Sequence, residues 1–252
     1  MVKIIVAAHK PYRMPQDSMY LPVQVGAAGK DSIGFQRDDE HDNISEKNAS
    51  YCELTGLYWA WKNVDADFIG LAHYRRHFSL QKKGDKFDRV LSTQEAEALC
   101  AQCPVLVAKR RNYVIETIYS HYVHAHKKEG PDALIELIDR EYPVYSAACH
   151  TLFNRTWAHM FNMCVMRKDI FDGYCTWLFE VLGKLEQKLD LTGWNTTEQR
   201  VYGFMSEFML DMYLMTHQIS YQEVPVLFME KQSMVKKALG VVKRKFIQPE
   251  GI

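Results

Sequence analysis

Two adjacent arginines, Arg75 and Arg76, follow directly on an apolar run of strand length in Asp67-Phe68-Ile69-Gly70-Leu71-Ala72-His73-Tyr74-Arg75-Arg76-His77-Phe78. Each guanidinium is a planar fork of donors, so a neighbouring pair suits a doubly charged anion such as a diphosphate. A plain turn would prefer Gly, Asn or Asp to this dense run of His, Tyr and Arg. In open α/β sheets ligands sit beyond the carboxyl ends of the strands, and His73, Tyr74, Arg75 and Arg76 would lie there. His9 and Lys10 close an earlier β-branched run, residues 3–8, and would reach the same edge. A base and ribose could rest by His9, with Lys10 near phosphate.

A proton acceptor is the second requirement. Arg200 and Glu207 are two helical turns apart and share a helix face. Gly203 on that side allows close approach of a ligand or backbone. A glutamate lifted in pKa by partial burial can take a proton from an attacking hydroxyl. Glu207 is the first candidate for that base and Glu198 the fallback. His159 and Asn162 bracket Met160-Phe161 at the start of a short strand, from which Asn162 would point an amide at an acceptor hydroxyl.

Metal chemistry has weaker support. Asp65-Ala66-Asp67 matches a bare D-x-D pattern, but it precedes a strand and so falls at the wrong edge of a sheet. Asp38, Asp39 and Asp42 are a better oxygen source for Mg²⁺ or Mn²⁺ should a divalent ion be needed. His121 and His124 share a helix face and His126 does not, which favours structural roles. Cys100 and Cys103 form a C-x-x-C pair with no second pair to complete a zinc set.

The elements that must position these groups alternate. Strands are expected at 3–8, 21–25, 68–73, 104–108, 162–166 and 221–228. Helices are expected at 48–63, 93–102, 113–128, 131–142, 169–189 and 199–217. Asn43 or Ser45 would cap the first helix, Thr93 the second. This order predicts an α/β fold with a mostly parallel central sheet. No Pro/Gly/Ser-rich linker divides the chain, so residues 1–230 are expected to form one domain, followed by a basic tail, 231–252. The tail mixes Lys and Arg with apolar residues and suits an anionic membrane surface.

Bulk composition narrows the class. The chain has 252 residues, 47% of them apolar and 25% charged, ordinary for a globular protein. Lys+Arg and Asp+Glu both number 31, a balance that excludes a general nucleic-acid binder. No run approaches the roughly 18 apolar residues of a membrane span. The start, Met-Val-Lys-Ile-Ile-Val, reads as a strand rather than a signal peptide. With free-looking thiols, these features predict a cytosolic protein.

Longer motifs carry a resemblance. His9-Lys10-Pro11-Tyr12, Asn43-Ile44-Ser45, Glu53-Leu54-Thr55-Gly56-Leu57-Tyr58-Trp59-Ala60-Trp61-Lys62-Asn63 and Gly70-Leu71-Ala72-His73-Tyr74-Arg75-Arg76 resemble the bacterial DUF4422 family. So do Phe161-Asn162-Met163, Tyr174-Cys175-Thr176-Trp177-Leu178-Phe179 and Arg200-Val201-Tyr202-Gly203-Phe204-Met205-Ser206-Glu207. The likeness covers roughly residues 3–230. It implies a GT-A-like (Rossmann-like) nucleotide-sugar fold and a glycosyltransferase of capsule, exopolysaccharide or O-antigen synthesis, with some members linked to galactofuranose transfer. GT-A enzymes carry their D-x-D after the central strand; His73-Tyr74-Arg75-Arg76 stands in that place here.

The combined expectation is a cytoplasmic, membrane-peripheral hexosyltransferase. It would take galactose or galactofuranose from a nucleotide-diphosphate donor, most simply a UDP-sugar, and add it to a polyprenyl-diphosphate-linked saccharide. His9, Lys10, His73, Tyr74, Arg75 and Arg76 would bind the donor, and His159 and Asn162 the acceptor. Glu207, Glu198 and Arg200 would serve catalysis. No metal cofactor is required on this reading, though Mn²⁺ or Mg²⁺ stays open. The alternatives are a nucleotide-sugar-binding regulator without turnover and a phosphate-ester hydrolase using the histidines. The latter lacks a nucleophile with a paired base.

Overall fold

In the computed structural model, which describes residues 1–230, β1 (Val2–Ala8) is the spine of a sheet. Its β-branched residues alternate between two faces. Ile5 and Ala7 enter a large core on one side, while Val2, Ile4, Val6 and Ala8 enter a smaller core on the other. β2 (Tyr20–Gln24), β3 (Gln36–Arg37) and β4 (Phe68–His73) run parallel to it. The order continues through β9 (Cys164–Arg167), β6 (Val105–Ala108) and β10 (Gln222–Val224), so it reads β10-β6-β9-β4-β1-β2-β3. β9 is antiparallel to both its neighbours. β5 (Arg76–Phe78) turns back on β4 and pairs with β11 (Val226–Phe228). A separate two-stranded ribbon joins β7 (Arg111–Asn112) to β8 (Trp157–Ala158).

The larger core lies under α2 (Leu54–Asn63), α5 (Glu129–Glu141), α6 (Pro143–Asn154), α7 (Lys168–Lys188) and α8 (Val201–Thr216). α7 buries Phe171, Tyr174, Cys175, Leu178, Val181, Leu182 and Leu185, the stripe an amphipathic helix turns inward. α3 (Thr93–Cys100) covers the opposite face. Short α1 (Asn48–Tyr51) and α4 (Ile118–Val123) lie near the ends of strands. The expected α/β class with a mostly parallel sheet is the architecture found.

Several element boundaries differ from expectation, each for a local reason. The helix expected over 48–63 is two helices. Cys52 takes φ 54°, ψ −132°, and the Asn48 side chain donates to its carbonyl (2.6 Å), which ends α1 before Glu53. Ser92, not Thr93, caps α3, in a capping box closed by Glu95. The helix expected over 113–128 shrinks to α4, because the chain before it pairs as β7 and Val114 takes φ 65°. α6 was not anticipated; Pro143 at its first turn starts it where α5 stops. The strand expected over 162–166 begins only at Cys164, since Phe161 and Asn162 are both left-handed, φ 79° and 54°. Pro225 separates β10 from β11. The basic tail 231–252 lies outside the described residues.

Candidate active site

β1 and β4 are parallel, with Ala7 opposite His73, so their carboxyl ends open on one edge. The amide of Tyr74 continues the pairing to the Ala7 carbonyl (3.1 Å). A cavity of about 670 Å³ sits at this edge, lined among others by His9, Glu53, His73, Tyr74, Arg75, Arg76, Arg111, Arg200 and Glu207. Two segments far apart in sequence, 73–76 and 200–207, thus meet across one space. That volume falls within the range of about 300–1,000 Å³ usual for small-molecule sites.

The floor is a strained turn held from three sides. Left-handed φ at a phenylalanine is unusual, and two such residues in a row cost on the order of 1–3 kcal/mol each. The His73 ring donates from Nε2 to the Phe161 carbonyl (2.6 Å). Glu207 takes the Phe161 backbone hydrogen bond. The Asn162 amide donates to Glu53 Oε1 (2.8 Å) and to the Gly203 carbonyl (3.3 Å), while its oxygen accepts from Ser206 (3.0 Å). Burial pushes the His73 ring below its ordinary pKa, so it stays neutral and keeps that donor. Gly203 is needed here for packing. A Cβ on it would lie 3.0 Å from Cys52 Sγ, the residue that breaks α1.

Charge in the cavity is arranged around two carboxyl groups. Burial, then the Glu53 charge, pushes Glu207 up to about 8. Two acids sharing one site cannot both ionise readily, so one keeps its proton near neutrality. Around them stand Arg75, Arg76, Arg111 and Arg200. Arg76 lies over the Phe161 ring (4.6 Å) and 5.9 Å from the Phe228 ring. Its Nε is buried with no hydrogen-bond partner among the described residues. Burial draws its pKa below the usual arginine range. Arg75 covers the Tyr74 ring (4.8 Å) and meets Glu230 at 3.1 Å. His9 packs edge-on against Tyr74, and burial followed by the Arg75 charge lowers its pKa. Arg200 donates to Cys52 Sγ (3.2 Å), whose thiol burial raises to about 11.

Four of the residues expected at the site do not line the cavity. Lys10 is exposed and does not line the cavity; its ammonium lies 5.9 Å from the Tyr74 ring. Glu198 is turned away, accepting from the Lys127 amide (3.1 Å) and meeting His126 (3.3 Å). His159 is fully buried between Asp211 (2.5 Å) and Glu223 (3.1 Å). Asn162 is 3% exposed and braces Glu53 rather than facing an acceptor. Of the acid loop, Asp38 is spent on the Gly26 and Ala27 amides and Ser45, and Asp39 on Arg37. His121 and His124 both bind Glu116 (2.8 and 2.7 Å). His77 points into the smaller core, where burial holds it near 4.

The Asp211 network is structural and makes its own prediction. Its carboxylate takes Arg155, the His159 ring and the His159 amide at 2–3% exposure. Asp211→Ala strands a guanidinium only 12% exposed and should cost about 3–5 kcal/mol in urea unfolding, a loss that Asp211→Asn only partly repeats.

Sequence reasoning missed Glu53 and Arg111. Arg111 was within reach, since Lys109-Arg110-Arg111 follows the buried run 105–108 just as Arg75-Arg76 follows 68–73. Glu53 had no such signal, because a lone glutamate beside the apolar stripe of an expected helix reads as an ordinary helix charge.

Residues 3–218 match the family model described as a domain of unknown function, DUF4422. The chain belongs to the DUF4422 family. A solved structure of WbbM, a bifunctional glycosyltransferase in its apo form, matches this DUF4422 chain with a TM-score of 0.85 at 30% sequence identity. The match covers 91% of this chain and 45% of that one, so the chain spans less than half the length of WbbM. No curated protein matches the sequence.

Proposed function

We propose that this chain is a glycosyltransferase that uses a nucleotide-diphosphate sugar. The observation that carries the reading is four arginines converging with a carboxyl group of raised pKa at the carboxyl edge of β1 and β4. The similarity to WbbM over nearly the whole chain supports it. The diphosphate lies between Arg75, Arg76 and Arg200, and the base rests on the His9 and Tyr74 rings. A UDP-sugar carrying galactose or galactofuranose is the donor, and a lipid-linked saccharide of a bacterial surface polysaccharide is the acceptor. Among the described residues no helix is long and apolar enough to cross a membrane. The enzyme would meet its lipid-linked acceptor from the membrane surface, with the tail 231–252 as a contact.

In the transfer step Glu207, as carboxylate, takes the proton of the acceptor hydroxyl. The hydroxyl oxygen forms a bond to the anomeric carbon, whose bond to the phosphate oxygen breaks. The electron pair leaves with the nucleoside diphosphate, and the arginines stabilise its growing charge. At the position where a GT-A fold would hold a metal, the groups present are guanidiniums and a neutral imidazole committed to Phe161, and of the cavity's two carboxyl groups Glu207 holds a proton and Glu53 accepts from Asn162. That set does not fit a divalent cation, and neutralisation falls to the arginines.

A thermal-shift panel of UDP and UDP-sugars, with and without Mn²⁺, tests the reading. Saturating donor at about 100 times its Kd should add roughly 2.7 kcal/mol to stability by mass action, without Mn²⁺. A shift that requires Mn²⁺ and survives Arg75→Ala would sink the arginine mechanism. No shift with any nucleotide would sink the transferase.

A further inference from the structure

A second, smaller cavity of about 270 Å³ adjoins the first and shares Arg111, Met160, Phe204 and Glu207 with it. The remaining wall comes from α4 and its flanks, including Tyr113, Tyr122, Ala125 and His126, and from Phe208 on α8. We infer that this cavity holds the acceptor, as a single hexose ring whose attacking hydroxyl faces Glu207 from the side opposite the donor. The inference rests on the transferase reading and extends it to a site that the sequence had placed elsewhere, at His159 and Asn162.

The chemistry of the walls selects a sugar. A pyranose has an apolar face of ring C–H groups and a rim of hydroxyls. The cavity offers aromatic surface for the first and a few polar groups for the second, the usual composition of a ligand pocket. His126 lies over Phe204 (4.6 Å, 35° between planes) and beside Tyr122 (5.0 Å). Tyr122 also packs edge-on against Phe208 (5.9 Å). These rings form a continuous, rigid patch, fixed from behind by the contact of His126 with Glu198. Arg111 and Glu207 supply the polar side. The volume is slightly under the roughly 300 Å³ at which drug-sized pockets begin, so one ring fits and a disaccharide must extend outward.

Position decides the role. Among the described residues Glu207 is the one carboxyl group common to the two cavities. A general base must reach the acceptor hydroxyl while the donor lies on its other side, and a group in the dividing wall does both. Glu53 lines only the larger cavity, which separates the two acids by function: Glu53 tunes, Glu207 transfers.

The test narrows the smaller cavity without touching the larger. Ala125 lines only the former, so Ala125→Phe should raise the KM for an acceptor at least tenfold. The Kd for UDP should change by less than twofold. The probes are UDP-galactose as donor and octyl galactopyranoside as acceptor, with product followed by mass spectrometry and UDP binding by calorimetry. His126→Ala repeats the test without adding bulk and should also raise acceptor KM with UDP affinity retained. An unchanged acceptor KM in either folded variant overturns the acceptor assignment and leaves the transferase standing. Failure of the wild-type chain to bind UDP or any UDP-sugar overturns both.

Discussion

Glu207→Gln is expected to lower the transfer rate by about 10²- to 10⁴-fold, the usual worth of a positioned base, while donor binding persists. The amide keeps the size of the carboxyl group but cannot take the hydroxyl proton. In the wild-type enzyme the same group sets the pH dependence. With the carboxyl pushed up to about 8, kcat/KM should rise about tenfold per pH unit below that value, then level off. Stability should run the other way. An ordinary glutamate titrates near 4.5, so between 4.5 and about 8 the folded chain holds a proton that the unfolded chain has lost. Stability is therefore fully present below about 4.5 and declines as pH rises through 8, by a few kcal/mol. Glu207→Gln carries no such proton and should be more stable than wild type at pH 8 while matching it at pH 4.5. Parallel denaturant curves at the two pH values measure this. A variant of equal stability at both, or one that keeps its activity, would remove Glu207 from the proton-transfer role.

This dependence arises from an arrangement only half legible in the chain. The apolar runs at 3–8 and 68–73 read directly as buried strands ending on one edge, and the run of cations after the second read as a ligand edge. The seven-residue spacing of Arg200 and Glu207 placed both on one helix face, and both line the cavity. These signals are local, written in hydrophobic period and in residue type at a strand end. What stayed hidden depends on backbone conformations that periodicity does not encode. The Cys52 break brings Glu53 inward, and the left-handed pair Phe161–Asn162 turns Asn162 toward Glu53. Neither carries the glycine that would advertise a positive φ. His159 was hidden for a different reason: a histidine near a strand start looks available until Asp211, more than fifty residues away, closes over it.

Arg76 should show the second large effect, through an exchange of stability against binding. Its guanidinium is partly buried over Phe161 and Phe228, and its Nε has no partner among the described residues. An unsatisfied buried donor costs about 1–3 kcal/mol, while stacking on an aromatic face returns about 0.5–2 kcal/mol. The two nearly cancel, and attraction from the Glu53 and Glu207 side is reduced while Glu207 holds its proton. Arg76→Met, which keeps the stem and the apolar contact, should therefore leave the free protein within about 1 kcal/mol of wild type or make it more stable. The donor complex is different. A phosphate supplies the missing acceptor to a partly buried guanidinium, and truncating one partner of such a charge pair costs about 2–5 kcal/mol, roughly 30-fold to several-thousand-fold in Kd. The expected pattern is a Tm unchanged or raised without ligand and a donor-induced shift that disappears. Arg76→Lys should recover only part of that shift, because an ammonium keeps the charge without the planar fork. Should Arg76→Met instead lose several kcal/mol of stability and still bind UDP normally, the guanidinium is a structural prop and the phosphates lie elsewhere.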